Sequence, residues 1–134
     1  MNKKKKKFFG DLGKDEVVSK EQIRFIKLMV EDYDFYYKFN PFLDQDWLNP
    51  PELRHIARTI KELRHAGQPV NYDSILFIIE KHYDITQENQ WISWEICKAV
   101  LKEAKDMVDV SSWRRYFLNR LNTRLLEEPF SNDW

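Results

Sequence analysis

An all-α fold is what this sequence predicts: a small helical head of about four helices followed by an antiparallel helical hairpin. Three observations point there. Glycine and proline are scarce, three and five in 134 residues, too few turn formers for a sandwich or barrel of many short strands. No strand-length stretch alternates β-branched with polar residues. Apolar residues return at i, i+3, i+4 and i+7 in several windows that open on capping residues, which is the spacing of one helical face. The chain is 43% hydrophobic and 15% aromatic, enough apolar surface for a packed core, and its length suits one folding unit.

Residues 1–18 hold the lysine run Lys3, Lys4, Lys5, Lys6 and Lys7 together with two glycines and no helical stripe, and are expected to form a flexible arm. Residues 19–134 form the domain, with the head over about 19–84. Ser19 opens a first helix and Gln22 completes a capping-box pattern, with Ile23, Ile26 and Val30 on one face. The acidic-aromatic stretch Glu31 to Tyr37 begins a short second helix that runs to Phe39 or Asn40, because Pro41 disfavours helical geometry in the residue before it. A loop with Phe42, Leu43, Trp47 and Leu48 follows, apolar enough to be pinned on the core. Asn49-Pro50-Pro51-Glu52 reads as N-cap, proline in the first turn and an acid after it. The third helix then carries Leu53, Ile56, Ala57, Ile60 and Leu63 on its dry side and ends at Gly67 and Pro69. Asn71 or Asp73 caps a dense apolar segment, Ile75 to Ile79, expected to be a mostly buried helix, with a strand as the competing reading. Two more helices, about 90–107 and 111–127, are joined by Val108-Asp109-Val110, a connection short enough for the hairpin over about 90–127.

The chemistry that such a chain can hold is limited. With three glycines, neither a phosphate loop nor a dinucleotide turn nor a nucleophile elbow can be built. His55, His65 and His82 stand apart without ligand spacing, and the single Cys97 allows neither an internal disulfide nor a cysteine cluster. No catalytic residue, metal or cofactor is therefore expected. Paired acids such as Asp44/Asp46 and Asp32/Asp34 fall at helix ends and in loops, where solvated carboxylates are common. No signal-peptide pattern and no run of about 18 apolar residues is seen, so a cytoplasmic, membrane-free setting is expected.

Two features point to binding. Trp113, Phe117, Leu121 and Leu125 form a stripe on the last helix, to be read either as core or as the interface to another subunit or protein. Lys3 to Lys7, with Arg120 and Arg124, can meet nucleic-acid phosphates, or they are a solubilising tail and a solvated helix face. The net charge is zero, so any such contact is local rather than a property of the whole surface.

Order and spacing together resemble one family. The apolar first helix ends in an acidic-aromatic turn; Pro41-Phe42-Leu43 and Asp46-Trp47-Leu48 follow, then Pro51-Glu52-Leu53-Arg54-His55-Ile56. Next come Gly67-Gln68-Pro69-Val70, the start Asn71-Tyr72-Asp73-Ser74-Ile75-Leu76 and a closing apolar helix. This run, Gln22 to Tyr83, resembles the N-terminal domain of DnaB-type replicative helicases, including the phage versions. Asp109 to Leu126 resembles the second half of that domain's hairpin less closely. The resemblance rests on packing residues. It implies a head plus a hairpin that pairs with a neighbouring subunit, a collar of helicase subunits, and a platform for primase or a helicase loader. It also implies that the chain is either a piece of a helicase or a free-standing relative that binds helicase subunits. The lysine arm lies outside the family pattern, and the ATP-hydrolysing motor of the family is not in this sequence. The alternative from a different class is a small nucleic-acid-binding regulator that uses the lysine arm and the arginine-bearing last helix.

Overall fold

The computed structural model describes residues 8–10, 18–85, 92–108 and 110–127. The described residues form six α-helices: α1 Lys20–Glu31, α2 Tyr33–Phe39, α3 Pro51–His65, α4 Tyr72–Ile85, α5 Trp94–Asp106 and α6 Ser111–Glu127. Two single 3-10 turns, Asn40–Phe42 and Gln45–Trp47, link α2 to α3. The all-α expectation therefore holds, and the apolar segment around Ile75 to Ile79 is helix, not strand.

Capping explains most of the boundaries. Ser19 Oγ accepts the Gln22 N–H at 3.2 Å, half of the expected capping box. The Gln22 side chain does not complete that box on the Ser19 backbone. It exchanges two hydrogen bonds with the Asn49 backbone, at 2.8 and 2.9 Å, and so ties the start of α1 to the start of α3. Asp32 ends one helix and starts the next: its N–H donates to Leu28 O, and its carboxylate accepts from Phe35 N–H at 3.0 Å. Pro51 takes the first position of α3 with no side-chain cap before it: the N-cap position falls on Pro50, and Asn49, expected as that cap, lies one residue earlier. At the other end Gln68 N–H reaches back to Leu63 O at 2.9 Å, with Gly67 at φ 71°, the left-handed closure that glycine allows. Asn71 caps α4 through Ser74 N–H at 2.8 Å.

The helices are arranged around α1. Gln22, Ile23 and every residue from Phe25 to Val30 are buried, so α1 is dry around nearly its whole circumference and needs neighbours on several sides. It receives α2, α3, α5 and α6, while α4 packs on α3 and α5. The expected hairpin is not confirmed. The main contacts of α5 are with α1, α3 and α4, and those of α6 with α1 and α2. The short connection permits a hairpin, but both helices pack on α1. The apolar α4 is also less enclosed than expected: Ile75 and Ile79 are buried while Phe77 is exposed.

The core is unusually aromatic. Phe25, Phe35, Phe39 and Phe117 are fully buried and meet mostly edge to face or tilted, with ring centroids 5.0 to 6.2 Å apart. Phe8 and Phe9 belong to this cluster, at 1% and 5% exposure. The segment expected as a flexible arm thus has a buried anchor at its described residues. Among the described residues, no helix is long and apolar enough to cross a membrane.

Candidate functional site

The α6 stripe divides. Phe117 and Leu121 face inward and are buried within this chain, Phe117 against Phe25 at 5.5 Å and Phe9 at 5.9 Å. Trp113 is half-buried, with its ring beside Tyr116 and Phe117 and the Arg24 guanidinium 4.4 Å from its centroid. Leu125 lies at the surface, next to the still more exposed Leu126. Four residues predicted as one interface therefore separate into two core residues, one flanking residue and one exposed residue. The reason is that α6 satisfies its apolar face on α1 and α2 of its own chain.

The arginines of α6 are also engaged. Arg120 sits 5.3 Å from the Phe8 centroid and 5.8 Å from that of Tyr116; Arg124 sits 5.9 Å from Phe8 and 5.0 Å from Trp47. These cation–π contacts cover the seat of Phe8. Burial holds the Tyr116 hydroxyl above its usual pKa, with Glu21 adding to the shift and Arg120 opposing it. The expected phosphate-binding residues Lys3 to Lys7 lie outside the described residues.

A surface that the sequence reading passed over is built on α2. Tyr33 and Tyr37, one helical turn apart, are 60% and 66% exposed and stacked at 5.8 Å. Two arginines hold the base of this pair. Arg64 donates to Met29 O and Val30 O, at 3.1 and 3.0 Å, which neutralises carbonyls at the end of α1. Its guanidinium then lies 5.1 Å from the Tyr33 ring and 4.9 Å from the Tyr36 ring. Arg114 of α6 bonds Asp32 at 2.8 Å and also Asp34, fixing the other edge. Tyrosine stacked on α2 was visible in the sequence as an i, i+4 pair, yet an acidic-aromatic turn reads equally as packing.

A polar cluster sits beside it. Tyr72 donates to Glu31 Oε2 at 2.6 Å, and Lys27 donates to the same oxygen at 2.9 Å and to Ala104 O at 3.1 Å. Burial acts to raise the Glu31 pKa, but the bonds from Tyr72 and Lys27 and the lysine charge outweigh it and leave Glu31 below the usual carboxylate range. Burial and the Glu31 contact raise Tyr72. At the α3–α5 junction the buried Glu52 accepts from Ser93 N–H at 2.6 Å. Burial, and then the Glu52 charge, push the nearby Cys97 thiol up to about 12, which suits packing and not nucleophilic chemistry.

Open grooves flank α5. One of about 450 Å³ lies between α4 and α5, with Tyr72, Leu76 and Leu101 inside and Lys98, Lys102 and Lys105 along it. The other, about 400 Å³, is lined by Val18, Ile23, Ile96 and Val100. Among the described residues, no group of three or more His, Cys, Asp or Glu is placed to hold a metal ion. Comparison with protein-family models, with curated proteins and with solved structures found no match to this chain.

Proposed function

We propose that this chain is a non-catalytic assembly module that docks other proteins of DNA replication through the Tyr33–Tyr37 face of α2. The observation that carries the reading is the exposure of two stacked tyrosines on a base held by Arg64 and Arg114. Tyr and Arg are the residues that most often anchor protein interfaces. A pair already fixed in the free protein loses little side-chain freedom on binding. The resemblance to the DnaB N-terminal domain supplies the partners to test: helicase subunits, primase or a helicase loader, in a cytoplasmic setting. The neighbour contact implied for the hairpin is assigned instead to α2, because Phe117 and Leu121 are occupied within the chain.

The test is co-elution of the full chain with a purified DnaB-type helicase, its primase and its loader, with affinity measured by calorimetry. Tyr33→Ala with Tyr37→Ala is expected to weaken binding at least tenfold while the helical circular dichroism stays unchanged. Equal binding by the double variant, or no binding to any of the three, sinks the proposal.

One observation favours the second reading, a nucleic-acid contact. Phe8, the residue that follows the lysine run in the sequence, is seated under Arg120 and Arg124 of α6. Binding that uses those lysines loses affinity with salt, by a slope of about 0.9 per phosphate on duplex DNA. Replacing all five by Ala is expected to flatten that slope by up to about 4.5. A titration of duplex DNA at several salt concentrations, with an unchanged slope in the variant, excludes this role for the arm.

A further inference from the structure

We infer that the cleft between α1, α2, α6 and the Trp47 turn is a binding site for a pair of aromatic residues following a basic run, filled in cis by Phe8 and Phe9 and in trans by the same residues of a second copy. The site is built for its ligand. Phe8 lies parallel to Trp47 at 4.3 Å and edge-on to Phe39 at 5.6 Å, with Arg120 and Arg124 near its ring. Phe9 meets Phe25 edge-on at 5.1 Å and Phe117 at 5.9 Å. Gly10 adds one hydrogen bond, from its N–H to Glu21 Oε1 at 2.7 Å. A side chain at position 10 would approach that oxygen to 3.1 Å, so the glycine lets the strap lie close to α1.

Phe8 to Gly10 belong to no helix. Their seating depends on rings entering a cleft, and those contacts are the same whichever copy supplies them, the condition under which like chains exchange segments. Seven residues, 11–17, join Gly10 to Val18, a tether whose extended reach is at most roughly 26 Å. Such a tether favours the cis arrangement at low concentration, and reciprocal exchange grows as the protein concentration approaches the effective concentration of the arm. The second copy is the occupant because it carries the one sequence already seen to fit. This inference is separate from the Tyr33–Tyr37 surface and stands or falls without it.

The test uses the full chain with a protease site placed within residues 11–17 and cut after folding. Two labelled peptides are offered: residues 1–10 as they stand, and the same peptide with Phe8→Ala and Phe9→Ala, which keeps all five lysines. The Phe-Phe peptide is expected to exchange into the cut protein at least tenfold more tightly than the Ala-Ala peptide, and to be excluded tenfold or more by the uncut chain. Light scattering of the uncut chain is expected to show a monomer giving way to a dimer as concentration rises. The inference is overturned if the cut protein, still helical, takes up no peptide, if both peptides bind alike, or if cutting unfolds the protein. A chain that stays monomeric at every concentration overturns the trans exchange.

Discussion

Phe117 and Leu126 show how little a residue's type says about its role. Both are large, apolar and on α6, yet the first is fully buried among aromatic rings and the second is 81% exposed. Phe117→Ala is expected to cost about 3–5 kcal/mol in urea unfolding, through lost burial and the cavity left behind, whereas Leu126→Ala should stay within about 0.5 kcal/mol. Near-equal effects would mean that α6 does not pack as described. Cys97 offers a second check at this scale. A thiol moved from 9.0 to about 12 has roughly a thousandfold less thiolate at pH 8. Alkylation with iodoacetamide is therefore expected to be very slow in the native protein and fast once urea unfolds it. Glu31 sets a pH dependence. Its folded pKa is below the unfolded value, so its contribution is present above the unfolded pKa and is lost as pH falls through the folded one. Tyr72→Phe removes one of the bonds that lower it. The variant is expected to lose less stability on acidification from pH 6 to pH 3 than the parent, as read by melting temperature, and a parallel pair of curves would remove Tyr72 from this account.

Capping is local, and two of the caps expected from the sequence, Ser19 and Asn71, are in place, while Asp32 and Ser93 cap α2 and α5 without having been expected to. Ser19, Asp32, Asn71 and Ser93 each accept a backbone N–H from the first turn of the helix that follows. Ser19→Ala is expected to cost about 1 kcal/mol. Gly67 is required at the end of α3 by its φ of 71° alone, since a methyl group there would meet nothing within 4 Å. Gly67→Ala is thus expected to cost about 1 kcal/mol, purely conformational, and Gly67→Asn less, because asparagine tolerates the left-handed region. Thermal melts of the two variants separate this from a packing effect, which would make the larger Asn the worse substitution. The α3 start shows the limit of local reading. Asn49 has the right chemistry for a cap, but the N-cap position falls one residue later on Pro50, and the Asn49 backbone is bonded to Gln22, 27 residues away in sequence.

At the scale of the whole molecule, α1 makes the fold cooperative. Four of the other five described helices rest on it, and Lys27, Gln22 and the carbonyls of Met29 and Val30 tie it by polar bonds to α5, to the Asn49 backbone ahead of α3 and to Arg64 of α3. A single unfolding transition, coincident by circular dichroism and tryptophan fluorescence, is the expected result. Two separated transitions would show that the head folds apart from α5 and α6. The sequence by itself determined the helices, the caps at Ser19 and Asn71 and the apolar faces, since each depends on residues within a few positions of one another. It also made the exposed Tyr33–Tyr37 pair legible as neighbours on a helix, without showing which side faced out. Only the tertiary structure decided that α5 and α6 both pack on α1, that Phe117 and Leu121 are core, and that Phe8 and Phe9 close the aromatic cleft. Those outcomes depend on competition among distant apolar surfaces for the same partner, and periodicity records that a face must be covered without recording by what.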